Sequence, residues 1–133
     1  MLLAAAGLPT TALADLAIVV HPNNPVASLS LDEINRIYLG KEKKFPDGNE
    51  VTPLDQDPGN PAREQFYDAV VGKSEAQAKA YWSKLIFTGK GTPPRTAGND
   101  AEIKAAVAAD PTALSYIDAG TADDSVKVVL RVP

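Results

Sequence analysis

The apolar positions of this chain fall into short runs separated by Gly, Pro, Asn and Asp, and each run has a readable period. LAIVV, Leu16 to Val20, is continuous and partly β-branched and stops at His21-Pro22-Asn23-Asn24-Pro25, which predicts a buried strand running into a turn. Ser30 then reads as a helix N-cap with Glu33 closing a capping box and Leu29 stapling to Ile34; Leu31, Ile34, Ile37 and Tyr38 share a face, and Gly40 ends the helix. Lys41 to Asn49 is a polar loop, Glu50 to Leu54 a short strand, and DQDPGN a second loop. A helix is expected from Asn60, with Pro61 in the first helical position, to about Val71 before Gly72. Another starts at Ser74, boxed by Gln77, with Ala78, Tyr81, Trp82 and Leu85 as its buried stripe. After the Gly- and Pro-rich loop Gly89 to Gly98, Asn99 and Glu102 cap a fourth helix that Asp110-Pro111 stops. Ala113 to Asp118 and Val126 to Val132 complete the pattern as strands. Strands alternating with helices, with no internal repeat, predict one α/β domain with a mostly parallel sheet flanked by helices.

Composition narrows the function more than the fold. A chain of 133 residues is long enough for one core and short for two domains. The absence of Cys excludes disulfide scaffolds, zinc-thiolate sites and thiol catalysis. A pI near 4.9 and a net charge of −4 argue against sequence-independent nucleic-acid binding, which needs a basic face. The apolar run Met1 to Leu8, followed by Ala12-Leu13-Ala14, reads as the remnant of a secretory signal peptide over residues 1–14, cleaved before Asp15. No Lys or Arg precedes the run, which fits a start inside a longer precursor. The mature domain is then expected over 15–133, in the periplasm and without a membrane span, with the same net charge because residues 1–14 carry none.

Candidate chemistry is sparse. His21, the one histidine, follows a strand, but no Gly-x-Ser-x-Gly elbow presents a nucleophile to it. Asp55 and Asp57 with Gly59 lack the remaining ligands of a calcium loop and read as a turn held by Asx hydrogen bonds. With no nucleophile, metal set or paired acid and base, no catalytic residue, metal ligand or cofactor is expected, and the chain is not expected to be an enzyme. Two loops combine glycine, polar groups and an element end. Gln56 to Arg63 leads into a helix start whose free N–H groups suit an anion, and Gly89 to Arg95 supplies Lys90 and Arg95. Ordinary capping for the first and an incidental basic loop for the second stand beside these readings.

The order AIVVHPNNPVASLSLDEINRIYLGK, FPDGNEVTPLDQD, a capped helix carrying Phe66, LIFTGKGTPPRT and AAVAADPTALSYID resembles the phosphate ABC-transporter substrate-binding proteins over roughly residues 16 to 118. The resemblance implies a type II periplasmic binding-protein fold, of which this chain looks like a single lobe. It also exposes a departure. Family members carry an Arg followed by Ser-Gly-Thr at the start of the helix that holds the matching Phe. Alignment on Phe66 puts Gln56 at the Arg position and Asn60, Pro61 and Ala62 at the three that follow. A guanidinium, two hydroxyls and a backbone N–H are thereby lost. The implied ligand donors are the backbone N–H groups of Ala62 and Arg63, the amides of Asn60 and Gln56, and Arg95. Two functions stay open: a module binding phosphate or another small oxyanion for uptake or sensing, and an envelope protein-interaction module that has lost its ligand. The second would expose apolar surface around Tyr116, Ile117 or Phe87 to a partner or a second copy.

Overall fold

The computed structural model describes residues 15–133, so the segment read as a signal, 1–14, lies outside the described residues. A five-stranded sheet is the middle layer. Its strands are β1 (Leu16–Val20), β2 (Thr52–Asp55), β3 (Arg95–Thr96), β4 (Ala113–Asp118) and β5 (Lys127–Val132), in the order β3-β2-β4-β1-β5. Helix α1 (Leu31–Tyr38), α2 (Pro61–Phe66) with a π-helical turn at Tyr67–Val71, and α3 (Glu75–Phe87) contribute to one apolar layer. Helix α4 (Asp100–Ala108) covers the opposite face.

β1 shows why both faces must be covered. Every residue of LAIVV is buried: Leu16, Ile18 and Val20 pack with Ile34, Phe66 and Tyr116, whereas Ala17 and Val19 pack with Ile103 and Val107 of α4. A strand apolar on both faces is stable only between two helical layers.

The sheet is mixed rather than mostly parallel. β2 is parallel to β3 and β4, but β1 is antiparallel to both β4 and β5. A continuous apolar run reports that both faces are buried and is silent on strand direction. The chain from β1 to its neighbour β4 passes through β2, β3 and all four helices, so no single strand-helix-strand crossover joins the two and imposes parallel pairing. The segment between β4 and β5 returns over the α4 face, where Ala119, Ala122 and Val126 join that layer's apolar cluster.

Three helix starts form as read. Ser30–Glu33, Ser74–Gln77 and Asn99–Glu102 each make a complete capping box. Leu31, placed by period on the buried face of α1, is instead 47% exposed; Ile34, Ile37 and Tyr38 carry the packing. In α3, Ala78 and Trp82 are buried while Tyr81 and Leu85 are half-buried. The loop Gly89 to Gly98 contains the two-residue edge strand β3, too short and polar to show as a period. At the end of α1, Gly40 takes φ +74° and lies under Trp82, where a Cβ would meet Cη2 at 3.0 Å. Gly40→Ala is therefore expected to destabilise the fold by about 1–2 kcal/mol from the left-handed backbone alone, with the Trp82 contact adding to it, as read by urea unfolding.

Candidate functional site

β2 ends at Asp55, whose side chain is 2% exposed. A charge this deep needs partners, and four groups, one from the following loop and three from other elements, supply them. The Gln56 N–H donates to Oδ1 at 2.9 Å; Tyr116 of β4 also donates its hydroxyl to Oδ1; Tyr67, in the π turn, donates its hydroxyl to Oδ2. Arg63 of α2 places Nη1 3.1 Å from Oδ2. The same Nη1 donates to the Gln56 carbonyl at 2.7 Å, and the guanidinium carbon lies 4.7 Å from the centre of the Tyr67 ring. The outer edge of the guanidinium, Nε and Nη2, is held by both carboxylate oxygens of Glu75, the first residue of α3.

Local structure places these groups. Arg63 and Tyr67 are four residues apart and so lie on one helical face. Within the π turn, Gly72 and Lys73 both donate their N–H to the Tyr67 carbonyl. The Asn35 amide donates to the Val70 and Val71 carbonyls at 3.0 and 3.1 Å, tying the same turn to α1. Tyr116 is fixed by stacking on Phe66, with centroids 3.9 Å apart and planes within 5°. Burial pushes the Asp55 carboxyl up from the ordinary carboxylate range, and the Tyr116 and Tyr67 hydroxyls, Arg63 and the Gln56 N–H pull it part of the way back. Burial and the Asp55 charge push both tyrosines well above their ordinary value, so they remain neutral donors. Burial works to lower the Arg63 pKa, but the hydrogen bond to Glu75 and the charge of Asp55 outweigh it and hold it above the usual value.

The expected site residues are only partly brought together. Gln56 is buried, and its Nε2 is committed to Asp100 Oδ1 at 2.7 Å and the Tyr116 carbonyl at 3.1 Å. Asn60 has the extended backbone of an N-cap but makes no side-chain cap bond; its Nδ2 turns inward to the Gly98 carbonyl at 3.2 Å and to Gln56 Oε1 at 3.4 Å. The Arg63 N–H donates to the Asn60 carbonyl at 3.0 Å, whereas the Ala62 N–H, in the second helical position, has no intrahelical acceptor by construction. Arg95 stands apart: it is exposed and lines a cavity of about 670 Å³ with Lys90 and Trp82. A second cavity, about 660 Å³, opens over Asp55, Arg63, Tyr67 and Glu75.

Asp55 is the residue that sequence reading missed. Instead of holding an Asx turn with Asp57, it anchors the network. The available signal was the Arg63/Tyr67 pair at helical spacing behind an acid at a strand end. Apolar surface at Tyr116 and Ile117 is also ruled out, since both are 0% exposed and packed in the sheet, whereas Phe87 is 92% exposed. His21 accepts the Asn23 N–H on Nδ1 at 3.1 Å and so serves its turn. Among the described residues no group of three or more His, Asp or Glu is placed to hold a metal, and no helix is long and apolar enough to cross a membrane.

No family model and no curated protein sequence matches the chain. Solved structures do. A Clostridium perfringens protein described as a phosphate ABC transporter substrate-binding protein, with bound phosphate, superposes with a TM-score of 0.70 at 25% identity, over 87% of this chain and 45% of its own. An ABC-type phosphate transport receptor from Vibrio cholerae gives 0.69 at 22% identity, over 88% and 46%. PstS from Borrelia burgdorferi gives 0.66 at 11% identity, over 87% and 47%. The chain thus spans less than half the length of each and has the α/β fold of a lobe of such proteins.

The network sets the response to removing its cation. Arg63→Met leaves a buried carboxylate without its ion-pair partner, and about 3–5 kcal/mol of stability is expected to be lost at pH 7. Arg63 is one of the groups that pull the Asp55 pKa down, so its deletion raises that pKa further. A carboxyl with a raised folded-state pKa stabilises the fold below its unfolded value, about 3.9, and loses that contribution as pH rises through the folded value. The deficit of Arg63→Met should therefore shrink between pH 7 and pH 5, and Arg63→Met/Asp55→Asn should recover much of it at pH 7. Urea unfolding at the two pH values measures both.

Proposed function

We propose that this chain is an extracytoplasmic binding domain, spanning 15–133 after a signal segment, that takes a small oxyanion, phosphate first, for uptake or sensing. One observation carries the reading: 87% of the chain superposes, at 25% identity, on a protein solved with phosphate bound. Those neighbours are transport binding proteins rather than enzymes, which supports a binding role here. The proposed ligand donors are the Ala62 N–H and the Arg63 backbone and guanidinium, with the Asn60 and Gln56 amides and Arg95 as the remaining members.

The geometry makes such a site weak. Both amides and the Arg63 N–H already have internal partners, and the guanidinium is held on both edges. A ligand must displace these bonds, so the net gain per contact is small. Thermal unfolding of the chain with and without about 10 mM phosphate, sulfate or organic anions tests the reading. If phosphate binds at about 1 mM, native-state binding adds about 1.4 kcal/mol. The variant Asn60→Ser/Pro61→Gly/Ala62→Thr, which restores two hydroxyls and an N–H, is expected to bind phosphate at least tenfold more tightly. No shift with any anion, in either protein, overturns the proposal.

A second reading, an envelope interaction module that pairs with a partner or with itself, is favoured by Phe87 and Ile86, 92% and 53% exposed at the end of α3. Light scattering of the chain and of Phe87→Ser tests self-association; a strict monomer in both removes the homodimer.

A further inference from the structure

We infer that the cavity over Arg63 is a binding cleft for a small organic carboxylate with an apolar body, and that the Glu75 carboxylate occupies the headgroup's place on the guanidinium. This goes beyond the oxyanion reading: ligand class and cleft both differ, although Arg63 is common to the two.

The two edges of Arg63 are not equivalent. Its inner nitrogen, Nη1, meets Asp55, 2% exposed and held by Tyr67, Tyr116 and the Gln56 N–H, and this partner has nowhere to go. Its outer edge, Nε and Nη2, meets Glu75, whose side chain is 45% exposed. The capping box at the start of α3 is made by Ser74 and Gln77, so no cap bond is lost when the Glu75 side chain moves. A carboxylate from outside can thus replace it, bond for bond, while Glu75 swings into water. Parallel N–H groups on a planar guanidinium fit a carboxylate in two-point contact, and the structure shows a carboxylate in that contact.

Beyond the guanidinium the walls turn apolar. Ala76, Trp82, Ile86, Pro93 and Pro94 form an apolar stretch of a cleft of about 660 Å³, in the size range of small-molecule sites, with Lys79, Ser83 and Thr96 as further polar members of its lining. An apolar body gains by leaving water there. Phosphate has no apolar body to bury against Trp82, Ile86 and the two prolines, so that part of the cleft adds nothing to its binding. Polar head at a half-buried cation and apolar body along Trp82 and Ile86 is the chemistry of an organic monocarboxylate.

Trp82 is the one tryptophan of the chain and lines the cleft, so its fluorescence reports occupancy. The whole chain is titrated with hexanoate, with uncharged hexanamide and with phosphate. Hexanoate is expected to change Trp82 emission saturably, and Glu75→Ala to lower its Kd about tenfold by removing the competitor. Hexanamide should be at least tenfold weaker than hexanoate. Ile86→Asp, at a half-exposed position that tolerates a polar side chain, should weaken hexanoate at least tenfold with little change in melting temperature. The inference is overturned by no saturable response in Glu75→Ala, by equal hexanoate affinity with and without Glu75, by an amide as good as the acid, or by indifference to Ile86→Asp. Phosphate binding without hexanoate binding ends this inference and leaves the oxyanion reading standing; Glu75-sensitive hexanoate binding without any effect of phosphate supports this inference and removes phosphate from the oxyanion reading.

Discussion

Asp55 is a buried carboxylate at the end of a central strand, and the structure around it follows from the need to satisfy that charge. Isolated, it could not stay ionised in such a place. Tyr116 brings β4, Tyr67 brings the π turn, Arg63 brings α2, and through Arg63 the first residue of α3 is joined to the group. Each donor arrives from a different element, so the carboxylate fixes their relative positions in a way that apolar contacts, which tolerate sliding, do not. A buried ion pair is a poor source of net stability, since desolvation offsets most of the attraction. Its effect here is on geometry.

The apolar layers act at right angles to that polar line. On one face Phe66 stacks on Tyr116 and meets the Tyr38 ring edge-on at 4.7 Å, while the Tyr38 hydroxyl donates to the Leu54 carbonyl at 2.7 Å. Aromatic rings therefore carry both the area burial and the hydroxyls that approach the strand end. The π turn follows from the same demand: Arg63 and Tyr67 must face Asp55 together, while Val70 and Val71 must face the core with α1. A widened turn after Phe66 lets one helix meet both requirements.

Much of the fold was legible because it is written in local chemistry. The capping boxes at Ser30, Ser74 and Asn99, the run LAIVV and the strand at Ala113–Asp118 are recognised within a few residues of themselves, and each formed as read. What was not legible depends on partners distant in sequence. The direction of β1 relative to β4 is set about a hundred residues away. Asp55 looked like a loop acid because nothing local tells that Tyr116 will stand beside it. Asn60 looked like a cap, yet the carbonyl of Gly98, 38 residues on, which also accepts the Asp57 N–H, claims its amide. Tyr116 and Ile117, read as apolar surface open to a partner, are instead central to the sheet. For the candidate site, the sequence pointed to the loop and helix start at Gln56 to Arg63 but could not tell that their amides would be taken by Gly98, Asp100 and Tyr116, since commitment of an amide to an internal acceptor is a tertiary fact.

The start of α2 shows what distinguishes this lobe from an efficient anion cradle. Pro61 fixes φ near the helical value and so favours the first turn, but it carries no N–H to offer. Asn60 and Gln56 direct their amides to Gly98, Asp100 and Tyr116, which fastens the loop to β4 and α4. Each of these features makes the helix start more rigid and less able to hold an anion. Arg63 completes the pattern, because its guanidinium lies between two carboxylates. Any anion that reaches it competes with a charge the chain already supplies, and its affinity is a difference between two similar contacts rather than the full strength of one. The Asp55 contact is locked by burial and the Glu75 contact is not, so access to the guanidinium from outside is governed at Glu75.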